Sequence, residues 1–278
     1  MLLPEDIFSR VVDAVAATNP RSLRAMALVC RQAHALIKRR WFRVLCVQDG
    51  WARREERRTG FPRVTYDRFV ELLWRRPDEM ERVQHLHIRT ARRGDVLRPV
   101  LEGCPGLTTL WLQHRCPGPQ PSIVGLDRLR HLRELTMSTF RFLGEGRVGD
   151  LVLPTVTHLH FAPVPVGEPL HLPALLAALP HLTHVGFEQD THRGCPRAVA
   201  ESSDACRVVV LATSAAGCED HPRIVYVHRS CRSPEWGQRG MSDQWAILDH
   251  VLAARDQGQQ LGTPTSVFRH AHTGGRVH

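Results

Sequence analysis

An α/β architecture, a short helical module ahead of a solenoid of parallel strands with outer helices, follows from three features of the sequence. The first is a repeated template in the middle of the chain: VQHLHI (83–88), LTTLWL (107–112), LRELTM (132–137), VTHLHF (156–161) and LTHVGF (182–187) all read apolar-x-x-apolar-x-apolar. The second is a set of amphipathic stretches between those copies, and the third is a compact helical pattern confined to the first 42 positions.

The central apolar residues of the copies are Leu86, Leu110, Leu135, Leu159 and Val185, recurring at roughly 24 to 26 residues, within the leucine-rich-repeat range. A sixth copy, CRVVVL (206–211), places Val209 in the same register, and IVYV (224–227) reads as a closing strand. A strand alternates its faces, so the apolar positions of one copy point one way and the intervening ones the other. No single copy can cover its own apolar face, whereas stacked copies build one continuous core with short helices behind the strands. DVLRPVLEGC (95–104) and EPLHLPALLAAL (168–179) are expected to be such helices, and Pro105, Gly106, Pro154 and Pro180 stand where the chain turns before a strand. The asparagine or cysteine that usually ties such turns together is missing, because Arg115, Phe140, Val164 and Asp190 occupy its place. The array therefore reads as an irregular leucine-rich-repeat-like solenoid over 83–240. The competing reading is a generic α/β domain whose strands are evenly spaced.

Residues 43–82 supply an opening unit. RVLCV (43–47) reads as a strand and TYDRFVELLWRRP (65–77) as a helix with Thr65 as N-cap, Pro77 as terminator and Phe69, Leu72 and Leu73 facing the core. WARREERRTGFPR (51–63) is expected to be a polar loop. At the other end, 241–255 reads as a closing helix with Ser242 as N-cap and Trp245, Leu248, Val251 and Leu252 covering the last strand. From Asp256 onward periodicity is lost, and 256–278 is expected to be a disordered tail.

The N-terminal module carries Leu3, Ile7, Val11 and Val15 at helical spacing, with Pro4, Glu5 and Asp6 suited to a first turn. A second helix is expected from Asn19-Pro20, running through Leu28-Val29-Cys30 into a third that ends near Trp41. About 40 residues rarely make a sufficient core unaided, which calls for docking or a partner. Leu3-Pro4-Glu5-Asp6-Ile7, Val11-Val12, Leu23, Leu28-Val29-Cys30-Arg31 and Trp41 resemble, in order and spacing, the F-box. That resemblance implies a non-catalytic substrate-recognition subunit of an SCF-type cullin–RING ubiquitin ligase. It implies further that Leu3, Pro4, Ile7, Val11, Leu28, Val29 and Cys30 bind a Skp-type adaptor while the array binds an unknown protein substrate. Two other readings stand beside it. The helices could be only a cap on the solenoid, or, with the basic RQAHALIKRR (31–40), a helix-turn-helix-like nucleic-acid binder. Apolar Leu28-Val29-Cys30 at the turn, with no glycine there, and the acidic residues of the module argue against nucleic acid.

The net charge of +9 comes almost wholly from arginine, and it is dispersed. Eight cysteines in 278 residues, without a secretory leader at MLLPEDIFSR, are read as reduced thiols of a soluble cytoplasmic or nuclear protein, and no stretch is apolar enough to be a membrane span. Cys195, Cys206, Cys218 and Cys231 form no C-x-x-C pair and are assigned to packing. The template turns His85, His87, His158, His160 and His184 outward beside Trp111, making a solvated face that is the candidate substrate-contact surface. No ligand set at zinc spacing, nucleophile elbow, phosphate loop or dinucleotide fingerprint occurs, so neither a cofactor, a metal nor an enzymatic activity is expected.

Overall fold

A computed structural model describes residues 4–18, 22–49, 63–90, 97–114, 125–137, 152–161, 172–188, 195–212, 221–228 and 243–258. The expectations placed on Asn19-Pro20, 51–62, 115–124, 138–151, 259–278 and on Leu3, Ser242, Cys218 and Cys231 lie outside these residues, as do those on Val164 and Asp190. The chain is α/β, and it divides into two compact units, 1–132 with 237–241 and 133–236 with 242–278. Among the described residues no helix is long and apolar enough to cross a membrane.

The first unit opens with α1 (Glu5–Thr18), α2 (Ser22–Ala27) and α3 (Arg31–Trp41). Their core is Val12, Leu23, Ala33 and Ile37, with Phe8, Val15, Met26 and Ala27 packed against it. Val15, one turn from Val11 on the same apolar arc of α1, packs against this core with Phe8, while Ile7 and Val11 flank it and stay partly exposed. The second and third helices do not run together. The amides of Leu28 and Val29 bond back to Ala25 and Met26 oxygens at 3.1 Å, closing α2 in a tight turn. Cys30 then starts α3, its carbonyl accepting from His34 N at 2.9 Å and its thiol from Ala33 N at 3.3 Å.

Four strands follow, β1 (Val44–Gln48), β2 (Arg63–Val64), β3 (His85–Thr90) and β4 (Thr109–His114), all parallel in the order β2-β1-β3-β4. Arg63 is therefore a strand residue, pairing with Cys46, where a loop was expected. Helix α4 (Tyr66–Arg75) starts as anticipated: the Thr65 side chain accepts from Arg68 N, and Phe69 and Leu72 are buried. Leu73 packs on the backbone of α6 (Arg98–Gly103), where a Cβ on Gly103 would lie 2.2 Å from Leu73 Cδ2. Helix α4 stops as expected ahead of Pro77, with Arg76 as its non-helical C-cap, and Pro77 also opens the short α5 (Pro77–Met80), its missing amide harmless in a first turn.

The second unit holds β5 (Glu134–Met137), β6 (His158–Phe161), β7 (His184–Glu188), β8 (Arg207–Ala212) and β9 (Ile224–His228), parallel and in sequence order. Helices α7 (Leu172–Ala178), α8 (Cys195–Ser202) and α9 (Asp243–Asp256) accompany them. In both units the repeat is longer than the template suggested by one apolar position. Met80-Val83-Leu86-Ile88, Cys104-Leu107-Leu110-Leu112, Leu129-Leu132-Leu135-Met137, Leu153-Val156-Leu159-Phe161 and Leu179-Leu182-Val185-Phe187 are all buried. The first pair of each set is joined by a turn bond, from Val83 N to Met80 O at 3.0 Å through Leu182 N to Leu179 O at 3.1 Å. The register Leu159↔Val185↔Val208 places Val208, not Val209, in line with the central residues. Both faces of β8 are covered, by α8 and α9, so Val208, Val209 and Val210 are all buried and the alternation that fixes register in a sequence is absent there.

Strands β3, β4, β6 and β7 each begin on a carbonyl shared by two consecutive amides. Arg43 O accepts from Gln84 N and His85 N, Gln84 O from Thr108 N and Thr109 N, Arg133 O from Thr157 N and His158 N, and Thr157 O from Thr183 N and His184 N, all at 2.8–3.0 Å. Threonine hydroxyls add a third donor: Thr108 Oγ1 to Gln84 O at 3.0 Å and Thr183 Oγ1 to Thr157 O at 3.1 Å. Thr108→Val should cost about 1 kcal/mol, one hydroxyl bond, and Leu110→Ala about 2–5 kcal/mol, a core cavity. Urea unfolding checks both, and a Thr108→Val midpoint equal to that of the unsubstituted chain would remove the ladder from the account.

Candidate functional site

The residues expected on the outward strand face fall into two groups, one in each unit. In the first unit His85, His87 and Trp111 are half-buried. His85 Nδ1 lies 3.1 Å from Thr109 Oγ1 on the neighbouring strand, and Arg43 next to it is held by Gln84 Oε1 at 2.9 and 2.6 Å. Burial first, and the Arg43 charge second, push the His85 imidazole down from 6.5 to about 4. The His87 ring lies on Trp111 with centroids 4.6 Å apart, and its Nδ1 is 3.7 Å from Cys46 Sγ across the β1–β3 pair. Asp49, just beyond β1, accepts from Thr90 Oγ1 at 2.6 Å and from Tyr66 N at 3.2 Å, which fixes the far end of that face.

In the second unit the expected neighbours do meet. His158 and His184 face each other in register on β6 and β7, their rings parallel within 5° and 4.2 Å apart. Their surroundings differ from the solvated face that the sequence called for. His160 is 1% exposed and His184 7%, because α9 lies across them and sets Trp245 on the cluster. The Trp245 ring centroid is 5.2 Å from that of His158, 5.8 Å from His184 and 6.4 Å from His160. The closing helix was expected on the last strand; it does pack on β8 and β9, and it reaches back over β6 and β7 as well.

The polar contacts of this cluster follow from its repeat positions. The threonine ahead of each strand stands 2.8 Å from the histidine that follows it, Thr157 Oγ1 to His158 Nδ1 and Thr183 Oγ1 to His184 Nδ1. His184 Nε2 lies 3.0 Å from Asp249 Oδ1, and since a carboxylate only accepts, that nitrogen carries the proton. Arg207 NH1 donates to the same oxygen. Burial is the largest single influence on the Asp249 carboxyl and pushes it up, but the His184 and Arg207 donors and charges together hold it below its ordinary value. His158 goes the other way: burial foremost, then the charge of His184, pushes it from 6.5 to about 4 against the opposing pull of Asp249.

Hydroxyl, imidazole and carboxylate in a row, Thr183, His184 and Asp249, have the composition of a nucleophile relay. Two observations argue for a structural role. The hydroxyl is engaged with Thr157 O, and the same threonine–histidine pair recurs at Thr157 and His158 with no carboxylate behind it. The repeat explains the pairs without a reaction. Sequence reasoning missed Asp249, Arg207 and Gly186; the signal within reach was Trp245 and Asp249 one helical turn apart on the closing helix.

Of the residues expected to face an adaptor, Pro4, Ile7, Val11, Leu28, Val29 and Cys30 are exposed. Ile7 is 45% exposed, Val11 40%, Leu28 86% and Val29 75%. Cys195 and Cys206 have packing surroundings: burial raises both thiols, and Cys206 Sγ contacts Leu182 O at 3.4 Å. Cys104, at a core position of its repeat, is pushed up to about 12 by burial.

No protein-family model matches the chain, and the search of curated proteins gives no match. The chemistry of the surfaces themselves is what bears on function.

Two neutral buried histidines set a pH dependence. Their folded-state values near 4 lie below the ordinary 6.5, so between these limits the unfolded chain binds protons that the folded chain refuses. Stability is full above pH 6.5 and falls as pH is lowered toward 4. The urea midpoint should therefore drop between pH 7.5 and pH 5, and His158→Asn should flatten that slope. An unchanged midpoint across this range would show that these imidazoles titrate as free ones do.

Proposed function

We propose that this protein is a non-catalytic substrate-recognition subunit of a cullin–RING ubiquitin ligase, with α1–α3 as an F-box-like docking module and the strand array as a leucine-rich-repeat-like receptor. One observation carries the proposal: α1–α3 enclose a small apolar core and still leave four large apolar side chains open to solvent. Val12, Leu23, Ala33 and Ile37 are enclosed, while Ile7, Val11, Leu28 and Val29 are open. A helical cap on a repeat array needs a polar outer side, whereas a docking module keeps apolar side chains for its partner. The open residues are those that the F-box resemblance assigns to a Skp-type adaptor. Leu3 of that set lies outside the described residues.

The parallel strands, their spacing and the stacked apolar sets support the receptor half. The same helices give little support to nucleic-acid binding. Lys38 of α3 is paired with Glu79 at 2.9 Å, and the most exposed turn of the module carries Leu28 and Val29 in place of cations.

Co-purification with a Skp-type adaptor tests the reading. The double variant Ile7→Asp, Leu28→Asp should lose the adaptor by at least about tenfold, roughly the effect of losing one anchor residue. Its unfolding midpoint should stay within about 0.5 kcal/mol, since the changes are on the surface. Full retention of the complex by the folded double variant would overturn the mechanism. Raising salt from about 50 to 200 mM should leave adaptor binding nearly unchanged, where nucleic-acid binding would collapse by orders of magnitude.

A further inference from the structure

The contact between α9 and the strands of the second unit has two parts of different character. Toward its C-terminal end α9 is an ordinary closing helix: Leu248, Val251 and Leu252 are buried, and Arg255 NH1 donates to Ile224 O at 3.0 Å. Toward its beginning it inserts one aromatic ring into a seat of imidazoles. Trp245 is 4% exposed, and Gly186 of β7 makes the floor. A Cβ at Gly186 would stand 2.2 Å from His160 Nδ1 and 3.0 Å from Trp245 Cη2, so no other residue leaves room for this arrangement. One turn further along, Asp249 meets His184 and Arg207 at the rim, where Asp249 and Arg207 are about half exposed.

A permanent core filled from strand and helix would use aliphatic side chains at these positions, because burying imidazole costs free energy that a leucine does not. The cost is visible here in the displaced titration of His158. An aromatic anchor in a desolvated centre with charged groups at the edge is instead the anatomy of an interface between separable partners. The seat also lies on the outward strand face, the side of the array left over for recognition. We propose that Gly186, His158, His160, His184 and Arg207 form a recognition site for a helix bearing an aromatic residue and a carboxylate one turn later. In this proposal α9 is its internal occupant, which a target helix of the same chemistry displaces. The proposal rests on the receptor reading above and adds to it the class of target and the way the site is held closed.

An occupant tethered in the same chain has an effective concentration on the order of millimolar. External helices must therefore compete, and weakening the internal one should open the site. The probe is a fluorescent peptide with the sequence of 243–256, titrated against the full chain and followed by anisotropy. Trp245→Ala in the full chain should bind that peptide at least tenfold more tightly than the unsubstituted chain does. A peptide carrying Trp245→Ala and Asp249→Asn should not bind either. A folded Trp245→Ala chain that gains no affinity would overturn the proposal. Should that variant fail to fold, hydrogen exchange on the unsubstituted chain decides. Amides of α9 that exchange through a local opening, well ahead of those in β7 and β8, support an exchangeable helix, and α9 amides as slow as β7 refute it. Neither measurement contains an adaptor, so failure here and failure of the docking module are read separately.

Discussion

A single backbone carbonyl sets the start of each of four strands, β3, β4, β6 and β7. Arg43, Gln84, Arg133 and Thr157 each present an oxygen to two consecutive amides of the following strand, and that double acceptance fixes where each strand begins relative to the one before. A slip of one residue would turn the apolar sets outward and the histidines inward, so the carbonyl bonds and the burial of Leu86, Leu110, Leu159 and Val185 enforce the same register. The threonines at 108, 157 and 183 sit where a hydroxyl can join those carbonyls.

The same register explains what could be read in the sequence. Five copies were legible because in the sequence one face of each strand was apolar and the other was not. The position three residues earlier, held by Met80, Cys104, Leu129, Leu153 and Leu179, was less so, since it lies in a turn and its residue types vary. Val208 was misplaced by one because β8 is covered on both sides and its valines carry no alternation. Arg63 escaped notice since a two-residue strand at a sheet edge has no pattern to display. The first helix misled in a subtler way. Apolar residues at 7, 8, 11, 12 and 15 make one broad arc on α1, and sequence spacing cannot say which part of that arc its neighbours cover.

At the candidate site the types and neighbourhood of the histidines were legible, and their exposure was not. Strand periodicity places His158, His160 and His184 on the outward face correctly, but periodicity is a statement about one element. What lies over that face comes from a helix more than 50 residues later, and its decisive members are Trp245 and Asp249. Coverage by a distant segment leaves no local trace. The nearest trace is Gly186, a residue without a side chain in the middle of an apolar strand, where close approach by another group is the usual physical reason.

The two surfaces that matter most pose opposite problems, and their chemistry tracks the difference. On the α2–α3 turn Leu28 and Val29 stay in water although each would gain about 1.5–3 kcal/mol from full burial, and on α1 Ile7 and Val11 are only partly covered. Local folding gives no return for that arrangement, since Val12, Leu23, Ala33 and Ile37 already supply the small core that joins these helices. In the second unit the reverse holds: polar imidazoles are covered, at a cost, by a helix whose own rim is charged. Aliphatic groups left bare and imidazoles put under cover both run against the stability of the isolated chain. The proposed docking role would account for the first, and the proposed exchangeable helix for the second.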